Sequence, residues 1–200
     1  MRLTAESVAN DVRMRRQLFK GTMLLVEGSV DARFMRRFID ERNCMAVVAQ
    51  GRDNAIEALK ILTDAGVPGV LALIDADFDR VLGEVSGGPN LLHYDYRDLE
   101  IMLLVSPALE KLLGEYGSEE KIREFETLEG VDTRRALLLR AQEIGLLRLM
   151  SVRDTLSLRF DGLSFGFVNS RTLELDVTEL LVAVKNNSNM HGLDIGALLE

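Results

Sequence analysis

Cysteine is almost missing from this chain: Cys44 stands alone, so no internal disulfide is possible, and a reducing cytoplasm is the expected compartment. Histidine is nearly as scarce. His93 and His191 offer no Cys/His spacing for zinc, and His93 falls in a short apolar run where a packed ring is the plain reading. No apolar run reaches the ~18 residues of a membrane span. The mixed, charged start M-R-L-T-A-E-S-V-A-N-D-V-R is no secretory signal. There is no Gly-Lys-Ser/Thr phosphate loop. Internal repeats and low-complexity segments are missing too. Positive charge is in deficit: 24 Lys and Arg face 32 Asp and Glu, for a net charge of −8. That argues against nucleic-acid binding by bulk charge. It does not exclude an enzyme whose bound metal ions cancel carboxylates locally.

What is present supports a packed core. The apolar fraction is 47% over 200 residues, enough for one domain or a domain with an added subdomain. Arginines cluster at Arg13, Arg15, Arg16, at Arg33, Arg36, Arg37, and at Arg134, Arg135. Their forks match phosphate geometry, although solvated helix faces and salt bridges explain the same clusters. Cys44 reads as a small, semi-buried residue.

Periodicity gives a helix over residues 4–19 capped by Thr4, then a strand from Met23 to Val26. A helix over 30–42 follows, with Val30, Phe34 and Phe38 as its apolar stripe. Met45 to Ala49 form a second strand. After the Gly51-Arg52-Asp53-Asn54 turn, Asp53 or Asn54 caps a helix that buries Ile56, Leu59 and Leu62. Gly66 and Pro68 end it. Val70 to Ile74 make a third strand, residues 79–90 a loop, and Leu91 to Tyr94 a short fourth strand. A helical pattern from Asp98 to Tyr116 restarts at Pro107. The alternation is that of an α/β, Rossmann-like fold with a mainly parallel four-stranded sheet. Residues 117–200 read differently, as a helical and β-hairpin extension. Helices span 118–129, 132–149 and 176–186, and Asp161-Gly162 turns a hairpin within L-S-L-R-F-D-G-L-S-F-G-F-V. The last run, L-D-I-G-A-L-L-E, has no stop signal after it, which leaves open a natural continuation or a truncated product.

Acids punctuate the strand ends. Glu27 closes the first strand in L-L-V-E-G-S-V-D, and Asp75 and Asp77 close the third in L-I-D-A-D-F-D. Open α/β sheets bind ligands at strand C-termini. On extended chain Asp75 and Asp77 point the same way, about 6.5–7 Å apart. Carboxylates gathered in this way hold protons or cations, and hard oxygen donors suit Mg²⁺ or Mn²⁺. Asp31 either stabilises the start of its helix or touches metal. Asp98 and Glu100, in D-Y-R-D-L-E, face together only on extended chain. If a helix has begun, one caps it and Glu100 is the better candidate for the site. Arg52, in the glycine turn, contacts phosphate or forms a surface salt bridge.

E-G-S-V-D after a strand, D-A-D-F-D after a later strand and the glycine turn between them resemble the Toprim domain of topoisomerases, bacterial primases and small nucleases. The likeness covers roughly residues 22–116, with residues 1–21 as an N-terminal helix. The segment R-D-L-E-I-M-L-L resembles a narrower group, the stand-alone Toprim nucleases that accompany ABC-type ATPases in bacterial anti-phage defence. The resemblance implies a magnesium-dependent nuclease, with Glu27 as general acid or base, Asp75 and Asp77 as metal ligands, and Glu100 as the later acid. It also implies a nucleic-acid substrate, DNA or RNA, and a separate ATPase subunit. No tyrosine-bearing cleavage domain and no zinc-finger cysteines are evident, which argues against topoisomerase and primase activities.

Two other expectations compete. A Toprim scaffold with silent acids would dock a partner, to which its negative charge is suited. A response-regulator or phosphatase type would need a lysine beyond a later strand, and Lys111 and Lys121 lie on helical patterns instead. A homodimer is a common enough state to expect.

Overall fold

The computed structural model describes residues 3–190. His191 and the final apolar run lie outside the described residues. The chain divides between Ser106 and Pro107 into two compact units. The first therefore takes in the N-terminal helix and stops ten residues short of the 116 boundary read from sequence.

In the first unit, α1 (Ala5–Arg16) is capped by Thr4, whose side chain accepts the Ser7 N–H. Strands β1 (Thr22–Val26), β2 (Cys44–Val48), β3 (Val70–Ile74) and β4 (Leu91–His93) alternate with α2 (Ser29–Met35), α3 (Arg52–Asp64) and the single turn α4 (Asp79–Leu82). Helix α5 (Leu99–Val105) ends the unit. The sheet has the order β2-β1-β3-β4, and every pairing is parallel. This is the Rossmann-like α/β architecture that the alternation of runs predicts.

Side-chain alternation along β1 explains its unbroken apolar run. Met23 and Leu25 face one side, packed with Val8 and Val12 of α1 and Leu59 and Leu62 of α3. Leu24 and Val26 face the other, packed with Ala32, Met35 and Ile39. A strand covered on both faces has no polar side to show.

That second layer departs from the sequence reading. The helix is shorter than 30–42, and it buries Ala32 rather than the Val30, Phe34, Phe38 stripe. Val30 and Phe38 stay 51% and 69% exposed. The Ala32, Met35, Ile39 row also repeats at helical spacing, and it is this row that packs against β1 and β2. Two further differences concern helix starts. Helix α2 is entered through Gly28 rather than Ser29, and α3 through Gly51 rather than Asp53 or Asn54. Gly51 has φ +127°, a conformation that glycine adopts readily. Asn54 instead ties its Nδ2 to the Ala49 carbonyl at 3.0 Å.

The second unit contains α6 (Ala108–Tyr116), α7 (Glu119–Glu129), α8 (Thr133–Arg153), a 3-10 turn at Phe165–Phe167 and α9 (Val177–Asn187). The restart of the helix at Pro107 is as expected. The hairpin around Asp161-Gly162 does not form. Gly162 does turn with φ +73°, but among the described residues the flanking segments build no ladder, and the nearest bridge is Val168 with Leu175. Two groups at the end of α9 take the backbone bonds instead. Asn187 Nδ2 donates to the carbonyls of Arg159 and Asp161, and Ser188 Oγ accepts the Arg159 N–H. The alternating Leu158, Phe160 and Leu163 then pack around Leu147, Leu180 and Leu181 rather than across a hairpin.

Candidate metal and phosphate site

Strand order reverses direction between β1 and β3: the chain leaves β1 for β2 on one side, then crosses to β3 on the other. The carboxyl ends flanking such a switch point form the crevice where open α/β sheets take ligands. Glu27 follows β1 there, and Asp75 follows β3.

The two ends are joined directly. Glu27 Oε1 accepts the Asp75 backbone N–H at 2.9 Å. Asp31 lies one helical turn on. Its Oδ2 accepts the Gly28 N–H at 3.0 Å, closing the first turn of α2, and its Oδ1 lies 3.4 Å from the Tyr94 hydroxyl. A Cβ on Gly28 would stand 3.1 Å from that Asp31 Oδ2, so the glycine lets the carboxylate come close.

Asp75 carries the strongest electrostatic signal. Burial pushes its acid up to about 7, and the charges of Glu27, Asp31, Asp77 and Asp98 add to the rise. Its Oδ1 is buried with no hydrogen-bond partner. Glu27 is raised as well, chiefly by burial, then by Asp77 and Asp31, against the lowering effect of the Asp75 N–H. The Tyr94 hydroxyl is held well above its ordinary range by burial and by Asp31 and Asp75.

Asp77 does not continue the strand. β3 ends at Ile74, and Asp77 sits at φ +43° in the left-handed region. The expected parallel alignment of Asp75 and Asp77 along extended chain is therefore replaced by a turn. The Asp77 N–H bonds the Arg97 carbonyl at 2.8 Å, and its carboxylate lies 3.6 Å from Arg52. Its charge still bears on both Glu27 and Asp75.

Arg52 opens α3, where a cation faces the positive end of the helix. Two acids compensate: it is ion-paired with Asp79 as well as Asp77. The pairing holds the Asp79 carboxyl below its usual range. Arg52 thus contacts acids of the turn, which is the salt-bridge alternative of the sequence reading.

Asp98 and Glu100 separate as a started helix requires. Asp98 caps α5, accepting the Ile101 N–H at 2.8 Å and pairing with Arg97. It is buried, and its charge reaches Asp75. Glu100 is exposed, and its charge reaches Tyr94. Sequence reasoning overlooked Tyr94 as a member of the site, and for a started helix it preferred Glu100 to Asp98 there. The signal was the density of polar and aromatic groups in Y-D-Y-R-D at the end of the fourth strand. His93 is half-buried, its Nε2 2.8 Å from the Ser86 carbonyl, as a packed ring would be.

The donors around Asp75 are all hard oxygens, and its buried Oδ1 has no partner while four other acids repel its charge. This chemistry fits a divalent cation such as Mg²⁺. Among the described residues no three His, Cys, Asp or Glu side chains are already closed into a ligand set. Glu27 is committed to the Asp75 N–H, and Asp77 to Arg52.

No family model, curated protein or solved structure matches this chain. Among the described residues no helix is long and apolar enough to cross a membrane.

Proposed function

We propose that the chain is a Toprim-type, Mg²⁺- or Mn²⁺-dependent nuclease that hydrolyses phosphodiester bonds in nucleic acid. The observation that carries this reading is Asp75: a half-buried carboxyl among four other acids, with one oxygen unpartnered, at the switch point of a parallel sheet. Such a group is relieved by a cation. Asp75, Asp77 and Glu100 would hold the ion, with Asp31 as a further candidate, and Glu27 would transfer a proton or hold a second metal. When bound, the ion supplies charge neutralisation for the phosphate and a more acidic water.

The protein's own groups do the rest. Glu27, its acid raised by burial, is the group proposed to take and return a proton. Its bond to the Asp75 N–H fixes the spacing of the two strand ends. Arg52 opening from Asp77 would free both that carboxylate for metal and a guanidinium fork for phosphate. The resemblance adds a setting: an effector of a bacterial anti-phage system, in the cytoplasm, working with a separate ABC-type ATPase.

The test is cleavage of plasmid DNA and total RNA by purified protein with Mg²⁺ or Mn²⁺. Glu27→Gln and Asp77→Asn should each abolish cleavage while the protein stays folded. Asparagine tolerates the left-handed backbone, so Asp77→Asn isolates the charge. Cleavage unchanged in both variants ends the proposal.

One observation favours the silent scaffold. Arg52 neutralises Asp77 and Asp79, so the acids near the turn are partly satisfied without metal. Calorimetric titration with Mg²⁺ and Mn²⁺ separates the readings, since a scaffold of this kind takes up no metal at millimolar concentration.

A further inference from the structure

Helix α2 and the turn that follows it leave exposed part of the row that the sequence marks as apolar. Val30 and Phe38 are exposed, and the Phe34 and Phe38 rings pack against each other with centroids 4.8 Å apart and planes tilted by 45°. Arg33, on α2, and Arg37, in the turn after it, adjoin Phe34 and Phe38 along the chain. Both are exposed, and among the described residues neither forms an ion pair or a side-chain hydrogen bond. Arg36, between them, pairs with Glu41, and most arginines of the other clusters are engaged too. Arg15 is bound to Asp11, Arg16 to the Gly69 carbonyl, and Arg134 to Glu110. In a chain of net charge −8, two unpaired arginines stand beside one exposed ring, Phe38, and one half-buried ring, Phe34. The same helix carries Asp31, which is bonded to Gly28 directly after Glu27.

Rings available for stacking, flanked by arginine forks, are what an unpaired nucleic-acid strand recognises: bases lie on the rings and phosphates pair with the guanidinium groups. A duplex hides its base faces and offers phosphates and groove edges, not surfaces for stacking. We infer that the Val30, Arg33, Phe34, Arg37, Phe38 face binds a single-stranded segment of the substrate and leads it to the acids at the end of β1. This rests on the nuclease reading and adds the substrate class: unpaired strands or loops.

The test measures binding apart from cleavage. Glu27→Gln protein in Mg²⁺ is titrated, by fluorescence anisotropy, into labelled single strands of RNA and DNA and into a blunt duplex of the same sequence. Phe38→Ala in that background should weaken single-strand binding about tenfold, with little change on duplex. Phe38→Trp should restore it. Arg33→Ala with Arg37→Ala should lower the salt slope for single strands by about 1.4, at roughly 0.7 for each phosphate left without its arginine. Circular dichroism checks that each variant is folded.

Unchanged affinity and slope, or equal losses on single strand and duplex, overturn the inference. So does a Phe38→Ala effect confined to self-association in the ultracentrifuge, which would mark a protein contact instead. In each of these cases wild-type cleavage in Mg²⁺ still stands or falls by itself. A wild-type protein that cleaves, with a face that proves inert, leaves the nuclease reading intact. A protein that neither binds nor cleaves removes both.

Discussion

The Glu27 carboxylate accepts the backbone N–H of Asp75 at 2.9 Å, so an acid following one strand holds the start of the acidic turn that follows its neighbour. The bond brings two carboxyl groups together that would otherwise repel each other. It also separates two jobs of Glu27, one as acceptor and one as charge.

Substitution tells those jobs apart. Glu27→Gln keeps an acceptor oxygen and should unfold in urea close to wild type. Glu27→Ala leaves a half-buried N–H without its partner and should cost about 1–3 kcal/mol in the same experiment. Both variants should be inactive in cleavage. Equal stability of the two would show that the bond contributes nothing to holding the strand ends.

The acid cluster sets a sign for the pH dependence of stability. The Asp75 acid rises from 3.8 to about 7 on folding, and Glu27 rises as well. Below the ordinary carboxylate range both folded and unfolded chains hold these protons, and the contribution is complete. Between there and about 7 the folded protein keeps a proton that the unfolded chain has released, so this contribution is lost as pH rises. Asp79, whose carboxyl is lowered, acts in the opposite sense, its contribution being lost as pH falls through a more acid window. Melting temperatures from pH 4 to 8 should therefore fall more steeply for wild type than for Asp75→Asn. Mg²⁺ should stabilise wild type more at pH 8 than at pH 5, because protons and metal compete for the same oxygens.

Arg52 should act as a brake on metal uptake. Arg52→Gln removes the cation paired with Asp77 and Asp79, and the calorimetric Mg²⁺ affinity should rise. The same change leaves the mostly buried Asp79 without its main partner, and should cost about 2 kcal/mol in urea denaturation. A variant with weaker metal binding would mean that Arg52 assists the site rather than competing for it.

In the second unit, Asn187→Ala should destabilise by about 1–2 kcal/mol, followed by far-ultraviolet circular dichroism in urea. Its amide is the donor for two carbonyls of the 159–161 segment, and both are deprived of it together. A neutral result would show that the segment is held by its apolar packing alone.

These residues also mark how far sequence reasoning reaches. The parallel sheet was legible because the strands are short apolar runs, β1 and β3 closed directly by an acid, and the helices between carry helical spacing. Glu27 and Asp75 were legible because strand ends are where such sheets place ligands. The face of α2 was misread because two rows, Val30-Phe34-Phe38 and Ala32-Met35-Ile39, share one period, and only packing against β1 and β2 chooses between them. The hairpin was misread because an Asp-Gly turn is local, whereas the Asn187 and Ser188 side chains that capture its backbone lie far along the chain. The left-handed Asp77 and its pairing with Arg52 have no local signature at all.

The most direct test of the whole account is a Mn²⁺ titration at pH 8, followed by electron paramagnetic resonance, on wild type and Asp75→Asn. The account predicts uptake by wild type below millimolar concentration and a loss of at least about tenfold in the variant, the range set by removing a charged ligand. Equal binding by both proteins, or no binding by either at millimolar Mn²⁺, would contradict it.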